Sequence, residues 1–252
     1  MVGGDQIVEQ YGRRPWTDFI MRVASYNIRK SVGLDRKRNP ERILDVLNEI
    51  NADVVFLQEV DRRIGERAST LSSELLAQHT DYHAADITIR EHSLGWHGNA
   101  ILVRKEIEFQ KAWRIELPTL EPRGAIAADI LVAGTTVRCV ATHLGLIARI
   151  RKAQIKKIAN ALHLEPDDPP TIIAGDFNEW RKSDIHTELF GDGYKMIDPQ
   201  PSFHSALPFA ALDRIVISKD IEFLKSDVHR SKKSKVASDH LPIWADLKLP
   251  QD

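Results

Sequence analysis

The chain has 252 residues, 42% hydrophobic and 28% charged, with 35 Lys and Arg against 36 Asp and Glu for a formal charge of −1. This exceeds one average domain of ~150 residues but not two, and such a composition excludes wholesale disorder, a collagen-like repeat and a disulfide scaffold. The near-zero charge excludes a global positive field, so any polyanion binding must come from a local patch.

Residues 1–20 are polar and aperiodic and are read as a flexible arm, with no apolar core of a secretory signal; the folded domain is expected over 21–252. Strand-like alternation begins at Val23 to Ile28. Asn39-Pro40-Glu41 opens a helix with an N-cap side chain, a proline and an acid, and Ile43, Val46, Leu47 and Ile50 continue at helical spacing. A buried strand is expected at 53–57 and a helix at 70–78. Strands follow at 99–104, 107–115, 125–132 and 136–142, with Ala133-Gly134 as a hairpin turn. A long helix spans 147–162, its apolar side carried by Ile155, Ile158, Ala159 and Leu162; Arg149, Arg151, Lys152, Lys156 and Lys157 are read as its solvated face. Further strands are expected at 171–174, 212–218, 221–228 and 241–249. With no linker, repeat or break in composition, one domain mixing strands and helices is the economical reading. Cys139, the only cysteine, lies in an apolar run and reads as a buried free thiol, which suits a reducing compartment. No stretch approaches the ~18 apolar residues of a membrane span, so a cytoplasmic location without a stable membrane anchor is expected.

Several strands end in polar residues of the same few kinds: Asn27, Gln58-Glu59, Thr142-His143 and Gly175-Asp176-Phe177-Asn178. Asp213 opens a strand, and Ser238-Asp239-His240 precedes the last one. One such residue would be an ordinary turn former; a layered fold that aligns these strand ends would make a cluster of carboxylates, amides and imidazoles. Oxygen donors of this kind suit hard cations such as Mg²⁺ or Mn²⁺. Imidazoles can donate hydrogen bonds to a phosphate, and an Asp beside an Asn can hold and deprotonate a water. The sequence has no G-x-S-x-G, no H-E-x-x-H, no P-loop and no paired cysteines for zinc.

The ordered set Tyr26-Asn27, Leu57-Gln58-Glu59-Val60, Gly98-Asn99-Ala100, Pro122-Arg123-Gly124, Ala141-Thr142-His143-Leu144, Gly175-Asp176-Phe177-Asn178, Leu212-Asp213-Arg214-Ile215 and Ser238-Asp239-His240 resembles the endonuclease/exonuclease/phosphatase superfamily, the DNase I-like metal-dependent phosphodiesterases. The resemblance implies a four-layer α/β/β/α sandwich with the site at one edge of the sheets. It implies Glu59, with Asn27 and Asp239, as metal ligands, and Asp176, assisted by Asn178, as the residue that handles the attacking water. It further implies His240, supported by Asp213, and a second histidine, His143, at the phosphate, with Asn99 and Arg123 as substrate contacts. Two departures stand out. Arg29 replaces an acid found two residues after the Asn in several DNA-repair members, and Glu91 is a loosely aligned candidate to support His143. The reaction implied is direct attack of water on phosphorus with no covalent enzyme intermediate.

The phosphoester is less legible. Basic clusters at Arg29-Lys30 with Arg36-Lys37-Arg38, at Arg62, Arg63 and Arg67, and at Arg230, Lys232, Lys233 and Lys235 adjoin site-bearing strand ends, either ringing the pocket or as solvated loops. Trp96, Trp180, Phe203 and Phe209 can pack or stack bases, and Trp180-Arg181 is the first choice for a substrate contact. The expectation is a nuclease on DNA or RNA. The alternative is the same chemistry on a phospholipid headgroup or small phosphoester, as in sphingomyelinase-like or inositol-phosphatase-like relatives, and a remote third is a non-catalytic binding protein of the same fold.

Overall fold

The structure is a computed structural model that describes residues 20–250, except 63, 64, 67, 120, 122, 164–168, 181–184 and 199, with the backbone alone at 185–187. The expected arm at 1–19, Arg63, Arg67, Pro122 and Arg181 therefore lie outside the described residues.

The first half runs β1 (Ile20–Asn27), α1 (Pro40–Ile50), β2 (Val54–Gln58), α2 (Ser73–His79), β3 (Tyr82–Ala84), β4 (Ala100–Arg104) and β5 (Glu108–Glu116). The second runs β6 (Gly124–Val132), β7 (Thr135–His143), α3 (Ala148–His163), β8 (Thr171–Asp176), α4 (Ile185–Phe190), β9 (Tyr194–Met196), β10 (Asp213–Ser218), β11 (Glu222–Val228), α5 (Ser234–Ala237) and β12 (Ile243–Lys248). Asn39 caps α1 by accepting from Arg42 N, and the helix stops at Asn51 in left-handed backbone. The helix expected from residue 70 begins instead at Ser73, because the Ser72 hydroxyl accepts from Leu75 N and sets the cap there. Ile20, assigned to the arm from sequence, already pairs with Lys248.

The strands form two six-stranded sheets, ordered β11-β12-β1-β2-β4-β3 and β5-β6-β7-β8-β10-β9. Each holds one parallel pair, β1 with β2 and β7 with β8, bridged by the crossover helices α1 and α3. One apolar layer, including Met21, Val23, Phe56, Cys139, Ile172 and Ile215, fills the space between the sheets. A second joins the outer face of the first sheet to α1 through Tyr26, Ile43, Leu47 and Leu57. A third joins the second sheet to α3 through Val140, Ile155, Ile158 and Phe177. The result is the four-layer α/β/β/α sandwich.

Side chains alternate across a strand, so parity decides what faces the inter-sheet core. Met21 and Val23 point inward on β1, and Asn27 shares their parity. His143 follows Val137, Cys139 and Ala141; Asp176 follows Ile172 and Ala174; Asp213 precedes Ile215 and Ile217. All four therefore project between the sheets at the edge where the apolar layer ends. Cys139 is buried within that layer and burial pushes its thiol up, as a structural thiol requires. Arg151 departs from the expected solvated face: it is buried, because loops on both sides of α3 offer it acceptors. Among the described residues no helix is long and apolar enough to cross a membrane.

Candidate active site

Asp176 is the centre of the cluster. It closes β8 opposite Asp213 and His143 in the neighbouring strands. Gly175 allows this close approach: a Cβ built there would stand 1.8 Å from the Thr142 carbonyl oxygen. One Asp176 oxygen accepts from Asn178 N at 2.9 Å. The other accepts from Asn27 Nδ2 at 3.0 Å and faces His143 Nε2 at 3.3 Å and His240 Nε2 at 3.8 Å. Burial by itself would raise this carboxyl, but the two imidazoles and the Asn27 amide more than offset it and hold Asp176 below the usual carboxylate range. Asn178, in left-handed backbone, uses its side-chain amide to brace Leu144 O at 2.9 Å.

Asp213 is fully buried and accepts from His240 Nδ1 at 2.9 Å and from the Ser202 hydroxyl through the same oxygen. Burial lowers the His240 pKa, yet Asp213, and then Asp176, outweigh it and raise it to about 10. Ligand atoms of Asp176, Asp213 and His240 lie within 4.8 Å of one another. These atoms are close enough together to hold a metal ion, and without one the same trio carries charge and protons.

Oxygen donors suited to a hard cation lie beside it. Asn27 Oδ1 accepts from Arg29 N at 3.1 Å. Glu59, at the end of β2 in left-handed backbone, is paired with Lys30 Nζ, and Asp239 with Arg29 Nε at 3.2 Å. These three residues carry carboxylate and amide oxygens only, which fits Mg²⁺ or Mn²⁺ chemistry. Arg29, in place of an acid, supplies a counter-charge to Asp239. Ser238 ties the segment down by donating to Asn27 O at 2.7 Å.

A cavity of ≈ 320 Å³ opens beside His143 and Glu59, lined also by Lys30, Arg62, Ile89, Trp96 and Arg123 among others. Arg123 Nη1 approaches His143 Nδ1 at 2.6 Å. Glu91 is exposed, and the partners of His143 are Arg123 and Asp176 instead. Asn99 is fully buried beside this cavity and donates to Gly124 O at 3.0 Å and Trp96 O at 3.4 Å, which braces the cavity wall. Trp180 is exposed and lies outside this cavity, with its ring 5.9 Å from Phe203 and 6.1 Å from Phe209; Phe203 in turn lies 5.0 Å from the His240 ring.

Sequence reasoning missed Ser202, an unremarkable loop serine, and the buried pair of Arg151 with Glu179 at 2.8 Å. Arg151 also donates to Leu146 O at 2.5 Å, so it joins the loop after His143 to the loop after Asn178. The only hint was position, since Glu179 directly follows Asn178.

A sequence model described as the Endonuclease/Exonuclease/phosphatase family matches residues 24–240. The uncharacterised protein YbhP of Escherichia coli (strain K12) is 28% identical over 250 residues, covering 92% of this chain and 97% of that protein. A D. rerio TDP2 structure complexed with single-strand DNA product superposes with a TM-score of 0.71 at 17% identity, covering 91% of this chain and 99% of that one. A mannosyl-6-phosphatase from Bacteroides thetaiotaomicron gives 0.71 at 16% identity, covering 90% and 99%.

Proposed function

The chain belongs to the endonuclease/exonuclease/phosphatase family of phosphoester hydrolases, and we propose that it hydrolyses a phosphodiester by direct attack of water on phosphorus. The observation that carries this reading is the ionised Asp176 carboxylate, fixed by Asn27 and Asn178 and flanked by two imidazoles. In this mechanism Asp176 accepts a hydrogen bond from the attacking water and holds it in line with phosphorus as the new P–O bond forms, the water's proton passing into the Asp176 hydrogen-bond network. His240, kept cationic by Asp213, donates Nε2–H to a phosphoryl oxygen as charge develops. Arg123 and His143 hold the opposite side of the phosphate, at the cavity. A divalent cation held by Glu59, Asn27 and Asp239 would supply neutralisation of the phosphoryl oxygens.

Two substrate classes present such a diester. A nucleic-acid backbone is favoured by a merged basic lobe: exposed Arg36, Lys37 and Arg38 are joined to the segment bearing Lys232 and Lys235 through Leu34 N donating to Val236 O at 3.0 Å. That lobe suits any anionic surface equally well. A lipid headgroup is favoured by the exposed apolar loops around His240.

The test is hydrolysis of bis-p-nitrophenyl phosphate with Mg²⁺, Mn²⁺ or EDTA, by wild type and Asp176→Ala. Turnover is expected to require the metal and to fall at least ~10²–10⁴-fold in the variant. Turnover that survives EDTA, or a variant as active as wild type, defeats the reading.

A further inference from the structure

Ile89, Leu146, Ile147, Trp180, Leu207 and Phe209 are the large apolar side chains more than half exposed among the described residues, Leu207 reaching 78%. None lies on the outer face of a sheet or helix; all are on loops around the candidate active site. Leu146 and Ile147 follow His143 by three and four residues, and Trp180 follows Asn178 by two. Leu207 and Phe209 occupy a loop closed by Phe203 N donating to Ala210 O at 2.9 Å and Ala210 N donating to Phe203 O at 2.7 Å. Ring contacts join Trp180 to Phe203 and Phe209, and the Arg151–Glu179 pair joins the Leu146 loop to the Trp180 loop. Ring contacts thus run from Trp180 to the His240 ring, and the ion pair sets the Leu146 loop next to the Trp180 loop. Ile89 stands separately, at the cavity.

Exposed apolar side chains grouped on neighbouring loops in this way mark a surface that is covered in use. Its make-up discriminates between occupants. A stacked base needs an aromatic face, and Leu146, Ile147 and Leu207 have none. Residues 205–212, Ser-Ala-Leu-Pro-Phe-Ala-Ala-Leu, carry no charge at all. Among the described residues, the exposed cations Arg149 and Lys152 at the start of α3 lie next to Leu146 and Ile147 in the chain. Across the site Arg36, Lys37 and Arg38 repeat the sign. Apolar loop tips with exposed cations beside them are complementary to an anionic lipid surface, where tips enter the acyl boundary and cations meet headgroups.

We propose that this edge docks on an anionic lipid bilayer, so that the site opens onto the headgroup layer and its substrate is a phosphoester presented there. The proposal rests on the hydrolase reading for its chemistry, but not for its docking. Such docking needs no spanning helix.

The experiment is co-sedimentation of the full chain with vesicles of phosphatidylglycerol and phosphatidylcholine, or of phosphatidylcholine alone. Variants are Ile147→Ser/Leu207→Ser and Arg149→Gln/Lys152→Gln, with bis-p-nitrophenyl phosphate turnover measured in parallel. Wild type is expected to pellet with the anionic vesicles and far less with phosphatidylcholine. The apolar variant should lose roughly tenfold or more in partitioning for each side chain. The charge variant should lose roughly fivefold for each cation. All should hydrolyse the soluble diester as wild type does, because the substituted side chains are exposed and outside the catalytic cluster. Wild type that pellets with neither vesicle, or an apolar variant that pellets equally well, overturns the proposal. Binding to a single-stranded oligonucleotide that falls in the apolar variant, without vesicle binding, also overturns it and gives the patch to nucleic acid. Absent turnover of the soluble diester by wild type counts against the hydrolase reading alone, since sedimentation reads docking without catalysis.

Discussion

Replacing Asp213 with Asn removes one negative charge from a fully buried position and leaves the shape of the side chain in place. Asp213 accepts from His240 Nδ1 at 2.9 Å, and its charge is the main reason that His240 titrates at about 10 rather than near 6.5, against the lowering effect of burial. Each pKa unit is a factor of ten, so the environment favours the protonated imidazole by roughly three orders of magnitude. The sign follows directly. A histidine whose folded pKa is raised contributes stability in full below its unfolded value of about 6.5, and that contribution is lost as pH rises through about 10. In Asp213→Asn the His240 pKa should fall, because burial is then opposed chiefly by Asp176, and the cationic donor becomes a neutral one at lower pH than in wild type. Loss of a positioned charged donor in a buried site costs on the order of 10²–10³ in rate. The assay is the pH profile of kcat/KM on bis-p-nitrophenyl phosphate with saturating divalent metal. Wild type should hold its activity on the alkaline side until near pH 10, whereas the variant should begin to lose it at distinctly lower pH. A variant whose alkaline limb coincides with that of wild type would refute the role given to the Asp213–His240 pair.

Two further substitutions probe how the cluster is held. Gly175→Ala places a methyl carbon 1.8 Å from the Thr142 carbonyl oxygen, a backbone atom that cannot swing aside, so β7 and β8 must part. Overpacking of this kind should cost about 1–3 kcal/mol in urea unfolding, and an Asp176 shift of about 1 Å should cost ~10² in kcat. Wild-type values for both would show that the strands tolerate the intrusion. Arg151→Ala removes the guanidinium paired with buried Glu179 and frees the carbonyl of Leu146, for an expected loss of about 3–5 kcal/mol by denaturant titration. A loss below about 1 kcal/mol would return Arg151 to the solvated face that the helical pattern gives it.

Much of this organisation is written locally. The Asn39-Pro40 start of α1, the apolar strand runs and the Ala133-Gly134 turn each depend on neighbours a few residues away, and each appears within a few residues of where the pattern places it. The polar residues at strand ends are equally local, which is why Asn27, His143, Asp176, Asp213 and His240 stand out along the chain. The edge strands β3 and β9 are not legible in the same way, because three residues are too few to establish a period of two.

The chain by itself determined which residues end its strands and, through side-chain alternation, that four of the five chemistry-bearing residues share the parity of the core. Only the tertiary structure decided that those ends meet. Asn27 belongs to one sheet and Asp176 to the other, 149 residues apart, and their 3.0 Å hydrogen bond exists because two independently paired sheets bury their inner faces against each other. The same packing turned Arg151 inward, gave Ser202 a carboxylate to hold and gathered the apolar loop tips onto one rim. These outcomes depend on long-range burial, which no periodicity along the chain encodes.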